Sequence, residues 1–323
     1  MPHQQTHGKF HHFTDALANI QWLLAHKKLP IRARRACEAY GYAVANGQRF
    51  YLPDAPNVLS GRDLDAETKS LARLPYDVIT VLGEENFTDS EGDRDMGFGL
   101  TVAFYADSDF NRRTQLIDPS INAYHDDGFF VMSSVLRLSD QPLQSSAPNA
   151  WRWLPTIVFC DLDRAKPGFG MGCTRLLPRD IMSDEAHNAT AEGMLSDISA
   201  VLNLCAMLSL HNVTTTDREP PPKVQSKRQS RGKQPLYSYK VLTVDGQSWD
   251  TRGNREGDGT GPGVRSHMRR GHIRRLDGGA RRIWVRSTYV HGSVPGFVDK
   301  DYQVKAGLQA LGEPTSVITR GGL

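Results

Sequence analysis

Gly128-Phe-Phe-Val-Met-Ser-Ser-Val-Leu-Arg-Leu138 is an eleven-residue run dominated by apolar, aromatic and β-branched side chains, and it reads as a strand. Tyr76 to Leu82, Gly99 to Tyr105 and Trp153 to Cys160 share that character. The segments between these runs are too short and irregular for repeated βαβ units, which argues against a doubly wound parallel sheet.

Upstream of the strands the pattern is helical. Leu17, Ile20, Leu23 and Leu24 recur at helical spacing, with Thr14 as a candidate cap and Pro30 as the stop. A second helix is predicted from Ile31 to about Asn46, ending at Gly47, with Arg32, Arg34 and Arg35 forming a solvated face at its start. A third short helix is predicted from Asp63 to Arg73, before Pro75. Downstream, a long helix is expected over Ser183 to Leu210, where Met194, Leu195, Ile198, Val201, Leu202, Cys205 and Leu208 make one apolar stripe. The expected fold class is α+β, with N-terminal helices, a mixed β-rich body containing the long helix, and a small β-rich C-terminal module.

Composition narrows the possibilities further. The chain has 323 residues, 39% hydrophobic and 23% charged, with 29 Gly and 18 Pro, which excludes a wholly disordered or collagen-like polymer. Asp197 and Asn203 interrupt the most apolar segment, Met194 to Leu210, so no membrane partner is expected. Met1 to His12 is polar and rich in histidine, reading as a loose tail without the apolar core of a signal peptide. Cys37, Cys160, Cys173 and Cys205 form no Cys-x-x-Cys pair, which suits a reducing cytoplasm. Asn86, Asn188 and Asn212 head Asn-x-Thr triplets, and these carry no glycosylation meaning without export.

Charge is unevenly distributed. Arg218 to Arg286 holds 17 Lys and Arg against 6 Asp and Glu, whereas the whole chain carries only +3. Such a split marks a polyanion-binding segment attached to an ordinary globular body. The expected organisation is therefore a body over 1–211, a basic Pro-containing connector over 212–234, a basic β-rich module over 235–306 and a tail over 307–323.

The densest signal is Arg265-Ser-His-Met-Arg-Arg-Gly-His-Ile-Arg-Arg275. Guanidinium groups fork onto phosphates and stack on bases, so Arg265, Arg269, Arg270, Arg274, Arg275, Arg281 and Arg282 are candidate nucleic-acid ligands. Trp284 is a candidate stacking platform, alongside Tyr237, Tyr239, Trp249 and Tyr289. His267 and His272 would point oppositely on a straight strand, and a bend at Gly271 would bring them together as acid and base for metal-independent RNA cleavage. Asp161 and Asp163, two residues apart at a strand end, are candidate Mg²⁺ ligands, with His125, Asp126 and Asp127 as third partners. No cofactor is expected overall, Mg²⁺ at these carboxylates being the one alternative. The acidic series Asp89 to Asp95 fails as a Ca²⁺ loop, since Arg94 and Leu100 occupy the positions that need Gly and Glu. The glycines from Gly257 to Gly263 lack the Gly-Lys-Ser/Thr ending of a phosphate loop.

The run His267-Met-Arg-Arg-Gly-His272, followed by a Trp-containing strand, resembles the C-terminal signature of the type V-A anti-CRISPR family of phages and mobile elements. That signature reads approximately basic-Pro-His-x-Arg-Arg-Gly-His-Trp; His267, Arg269, Arg270, Gly271 and His272 match it, while Ser266 and Ile273 depart. The similarity covers about the last sixty residues. The Arg-Arg-Gly-His-Ile-Arg-Arg-Leu unit, the Trp-Val strand and Lys300-Asp-Tyr302 also look like related phage-type proteins. The resemblance implies activity against a Cas effector in the bacterial cytoplasm, by recognition of its nascent N-terminal peptide and destruction of the translated mRNA. The expected partners are RNA or the ribosome, together with a nascent polypeptide or host protein, and the expected outcome is lowered expression of a host target. Two alternatives remain open from the residues: an RNA endonuclease in its own right, and a non-enzymatic virion or DNA-binding interaction protein.

Overall fold

The computed structural model describes residues 6–52, 72–88, 94–116, 128–137, 151–162, 170–244, 265–269, 272–285, 288–290 and 294–297. Two N-terminal helices come first, α1 (Thr6–His26) and α2 (Ile31–Asn46). Pro30 sits at the N-cap of α2 with φ −53°, and the buried Ala33, Ala36, Cys37, Tyr40 and Val44 recur every three or four residues. Gly47 closes α2 by donating its N–H to Ala43 O, and a Cβ at that position would lie only 2.6 Å from the same carbonyl. α1 begins earlier than its apolar spacing suggests. Thr14 therefore lies inside the helix, and its hydroxyl donates to Pro235 O at 2.8 Å instead of capping. His11 and His12 are also helical, and the half-buried His12 ring packs 4.2 Å from Phe98, so this part of the histidine cluster is not a tail.

Nine strands form one mixed sheet: β1 (Gln48–Leu52), β2 (Val78–Thr88), β3 (Arg94–Phe104), β4 (Gly128–Arg137), β5 (Arg152–Trp153), β6 (Thr156–Asp161), β7 (Gly170–Arg175), β8 (Val213–Arg218) and β9 (Tyr239–Val244). Their order is β7-β6-β4-β3-β2-β1-β9-β8, with β5 paired to β4. β1 runs parallel to both of its neighbours, and the other pairings are antiparallel. All four expected runs become strands, although Pro155 splits the last into β5 and β6.

Both faces of this sheet are covered. Phe130 and Met132 pack with α1 and α2, while Phe129 and Val131 pack with the helices α4 (Asp184–Gly193) and α5 (Leu195–Leu208). A strand buried on both sides needs no polar alternation, which accounts for the continuous apolar character of the run from Gly128. Gly128 itself is required where it stands, since a Cβ there would come within 2.5 Å of the Phe159 ring. Ser183 caps α4 by accepting from Ala186 N, and Met194, fully buried, joins the two helices. Of the predicted stripe, Met194, Ile198, Val201, Leu202 and Cys205 are each 1% exposed or less, and Leu195 and Leu208 are half-buried.

The run Asp184–Leu208 is long and apolar enough to cross a membrane, but 67% of its most apolar window is buried within the molecule. Asp197 lies in it at 1% exposure, accepting a hydrogen bond of 2.7 Å from Thr101 Oγ1 on β3. A core helix explains both observations, because a buried carboxylate is tolerated where the sheet supplies its donor.

A short helix α3 (Asp109–Thr114) is capped by Ser108, and the Asp77 carboxylate accepts from Asp109 N at 2.7 Å and Phe110 N at 2.8 Å. After α5 the chain departs from the expected division into body and connector. Residues assigned to an extended linker form β8 and the helix α6 (Pro222–Gln229), and β9 inserts between β1 and β8. The expected boundaries at 211 and 234 thus fall inside the main sheet. Arg49 secures this arrangement: its guanidinium donates to Val44 O, Ala45 O and Ser238 O at 2.9–3.0 Å and lies 4.8 Å over the Tyr237 ring.

The C-terminal region is β-rich, as expected. β10 (Arg265–Arg269), β13 (Thr288–Val290) and β14 (Val294–Phe297) form a three-stranded sheet, and β11 (His272–Leu276) pairs with β12 (Arg281–Val285). The predicted helix at 63–73 lies outside the described residues up to 71, and the tail at 307–323 lies wholly outside them. The α+β class holds.

Candidate nucleic-acid interface

The β11–β12 hairpin carries four of the candidate arginines. Its register pairs Ile273 with Trp284, Arg274 with Ile283, Arg275 with Arg282, and Leu276 with Arg281. Partners directly opposite in an antiparallel pair share a face, so Ile273, Trp284, Arg275 and Arg282 lie on one side, with Arg274, Ile283, Leu276 and Arg281 on the other. The connecting turn uses Asp277, Gly278 and Gly279 at φ 53°, 67° and 101°. Two glycines supply most of that left-handed backbone without a Cβ penalty.

Trp284 is the hairpin's anchor. It is 8% exposed and belongs to the core cluster that includes Leu210 and Val213, with Ile273 packed beside it. Its ring is therefore taken up by packing and offers no open face to a base. Asn212 grips the same residue from β8's side: its amide oxygen accepts from Trp284 N at 2.8 Å and its amide nitrogen donates to Trp284 O at 3.0 Å. His211 N adds a bond of 3.0 Å to Arg282 O. Sequence inspection sees Asn212 only as the head of an Asn-x-Thr triplet. The unbroken apolar run Ile283-Trp284-Val285 after two arginines is the signal that marks a docked strand.

Outward from this anchor the charges are accessible. Arg274, Arg275 and Arg281 are exposed, and Arg282 is half-buried. Arg281 Nε lies 3.4 Å from Asp277 Oδ2, with both side chains more than half exposed, so that pair is weakly held. Asp277 is the only acidic residue between Asp258 and Asp299.

Other candidates are placed as follows. Arg265, His267 and Arg269 lie on β10, where His267 pairs with Val290 and Arg269 with Thr288. His272 opens β11 opposite Val285, so the two histidines belong to strands of different sheets. Arg270 and Gly271, between those strands, lie outside the described residues, as do Trp249, Asp163, His125, Asp126 and Asp127. Asp161 ends β6 opposite Gly170. Among the described residues no group of three His, Cys, Asp or Glu side chains is arranged to hold a metal. Of the flanking aromatics, Tyr239 is buried and Tyr237 is half-buried beneath Arg49. Arg32 and Arg35 are exposed, as their solvated reading requires, and border an open cleft of about 250 Å³ with Ile31 and Leu116.

A hairpin tied to a mixed sheet through Trp284, Ile273 and the bonds from His211 and Asn212, with arginines exposed on it, defines a basic appendage on an α+β body. Residues 63–292 match the model of AcrVA2-like proteins, the anti-CRISPR type V subtype A2 family. That span is more than two thirds of the chain and includes β2 to β13, far beyond the C-terminal motif that carried the resemblance. The chain belongs to this anti-CRISPR family. No curated protein and no solved structure gives a match.

Proposed function

We propose that this anti-CRISPR engages RNA, free or within a translating ribosome, through the β11–β12 hairpin and so lowers expression of its target. One observation carries this reading: the hairpin's apolar residues Ile273 and Trp284 turn into the body while Arg274, Arg275 and Arg281 remain exposed around them. Charges held on a fixed ribbon lose little conformational freedom on binding, which favours a repeating anion over scattered contacts. Arg275 and Arg282 also stand directly opposite one another across the strands, so two guanidinium-bearing positions share one face of the ribbon. The family resemblance supplies the remaining part, in which the body recognises the effector's nascent polypeptide.

The test is a salt titration of the purified chain with labelled single-stranded RNA. Neutralising about six phosphates gives a slope of log affinity against log salt near −4, at roughly 0.7 per phosphate. Charge reversal at Arg274 and Arg281 should lower that slope by about 1.4 while leaving the melting temperature nearly unchanged. A slope near zero for the parent chain refutes RNA engagement. Preferential binding of duplex DNA would favour a virion or packaging role instead.

A further inference from the structure

The basic residues after β8 and those of the hairpin are separated in sequence by more than forty residues, from Lys233 to Arg274, yet both are attached to the same end of the main sheet. β8 is the terminal strand there, and Thr214 to Arg218 along it are exposed. α6 follows within the β8–β9 connection and packs on the side of the sheet that α1 covers. Val224 rests against that core cluster, the Gln225 side chain exchanges two 2.9 Å bonds with the Leu236 backbone, and Arg228 Nε donates to Gln234 O at 2.8 Å. With those side chains turned to the body, Lys223 and Lys227 are exposed on one flank, about one turn apart, and Arg231 and Lys233 follow in the same exposed segment.

The hairpin occupies the opposite side. Trp284 and Ile273 pack into the cluster that α5 covers, and Asn212, immediately before β8, holds them there. The edge of β8 therefore runs between two basic elements, one above the sheet and one below it.

We infer that this end of the sheet is one continuous surface for single-stranded RNA, which passes from the hairpin arginines over the β8 edge to the lysines of α6. The inference rests on the hairpin engaging RNA as proposed above. Charge supports the path. From Pro220 to Val244 the chain has six Lys and Arg and no acidic residue. The acids nearby are partly engaged: Asp217 pairs with Lys240 Nζ at 2.7 Å and Asp277 with Arg281, Asp15 on α1 lies in the field of Arg228, and Glu219 faces Arg49 and Lys240. Layers packed on a sheet stand about 10 Å from it on each side, and the hairpin is tied at the Val213 end of β8 while α6 follows its Arg218 end, about 17 Å along the strand, so the separation is on the order of 25 Å. Roughly eight stacked nucleotides at about 3.4 Å each span that distance. A flexible single strand follows such a bend, whereas a duplex resists it.

The experiment uses the full chain, a twelve-nucleotide and a four-nucleotide single-stranded RNA, and a twelve-base-pair RNA duplex. Two variants are compared with the parent: Lys223→Glu/Lys227→Glu/Arg231→Glu on the α6 side, and Arg274→Glu/Arg281→Glu on the hairpin. The α6 variant should weaken twelve-nucleotide binding by about ten-fold or more and reduce its salt slope by about two, leaving four-nucleotide binding within two-fold of the parent. The hairpin variant should weaken both single-stranded lengths. If the α6 variant loses cooperative unfolding, the Gln triple variant at the same positions replaces it, with the same pattern expected.

Equal twelve-nucleotide affinity and slope in the α6 variant and the parent would overturn the continuous surface while leaving hairpin binding intact. Tighter binding of the duplex than of the single strand would overturn it as well. Absence of salt-dependent binding in the parent would instead remove the reading on which the inference rests.

Discussion

Asn212→Ala should release the arginine hairpin without changing a single charge. The side chain makes two hydrogen bonds to the Trp284 backbone, at 2.8 and 3.0 Å, in a half-buried setting. Each is worth about 0.5–1.5 kcal/mol net, and a backbone group left unsatisfied costs about 1–3 kcal/mol. Water reaches part of this site, so a local loss of about 2–3 kcal/mol is expected. The loss should fall on hairpin docking more than on the sheet, because β8 keeps its ladder to β9 from Val213–Val244 through Arg218–Tyr239. Native-state hydrogen exchange reads this directly: the amides of Ile283, Trp284 and Val285 should exchange about thirty- to a hundred-and-sixty-fold faster, while those of β2, β3 and β4 stay unchanged. RNA affinity should drop with them, since the arginines would no longer be held in one geometry. Uniform acceleration across sheet and hairpin, or faster hairpin exchange with undiminished RNA binding, would refute the idea that docking presents the charges.

Three further outcomes follow from the body. Arg49→Met removes donors to three carbonyls that join α2 to the segment before β9, and urea denaturation should show a loss of about 2–4 kcal/mol, with Arg49→Lys recovering only part of it. Thr101→Val takes a hydroxyl donor from the buried Asp197 carboxylate and should cost about 1–3 kcal/mol by the same measurement, with the secondary structure unaltered. His187 is 7% exposed beside Thr156, and burial, reinforced by Arg175, holds its pKa below the usual 6.5 despite the opposing influence of Asp184. The neutral ring is favoured in the folded state, so its contribution is present above pH 6.5 and is lost as pH falls from there toward the lower folded value. Stability measured between pH 7.5 and pH 5 should decline in the parent and decline less in His187→Gln. An identical decline in the two proteins would exclude His187 as the source.

Legibility varied with the range of the interactions involved. α2 was readable because Pro30 and Gly47 bracket it and its apolar residues keep helical spacing, all within one short segment. The α5 stripe was readable for the same reason. Sheet order was not, since β1 is five residues long and pairs with strands beginning at Val78 and Tyr239, choices settled only by tertiary contacts. β7, with Gly170 and Gly172, has the composition of a loop rather than a strand, and its pairing with β6 supplies what propensity lacks. The stretch after His211 misled because lysine, arginine and three consecutive prolines suggest a linker. Yet Pro222 sits at the first helical position, where a missing N–H costs nothing, and that placement is a start signal for α6. For the site, the arginines were plain from composition, whereas their orientation depended on recognising Ile273 and Trp284 as a buried pair.

That pair also decides what kind of unit the basic region is. A five-residue strand paired to another five-residue strand is marginal on its own in water, and this hairpin spends four of its ten strand positions on arginine. Trp284 contributes its burial to a cluster built by α5 and the main sheet, so the hairpin draws its order from the body. Separating residues 235–323 from the rest would remove β1 and β8 from β9, and Leu210, Asn212 and Val213 from Trp284. The severed piece should give neither a cooperative unfolding transition nor the salt slope of the full chain. Adding the 1–234 piece in trans should restore both if it folds. A stable, RNA-binding 235–323 fragment would show instead that the module carries its own core, and the dependence of charge display on the sheet would have to be abandoned.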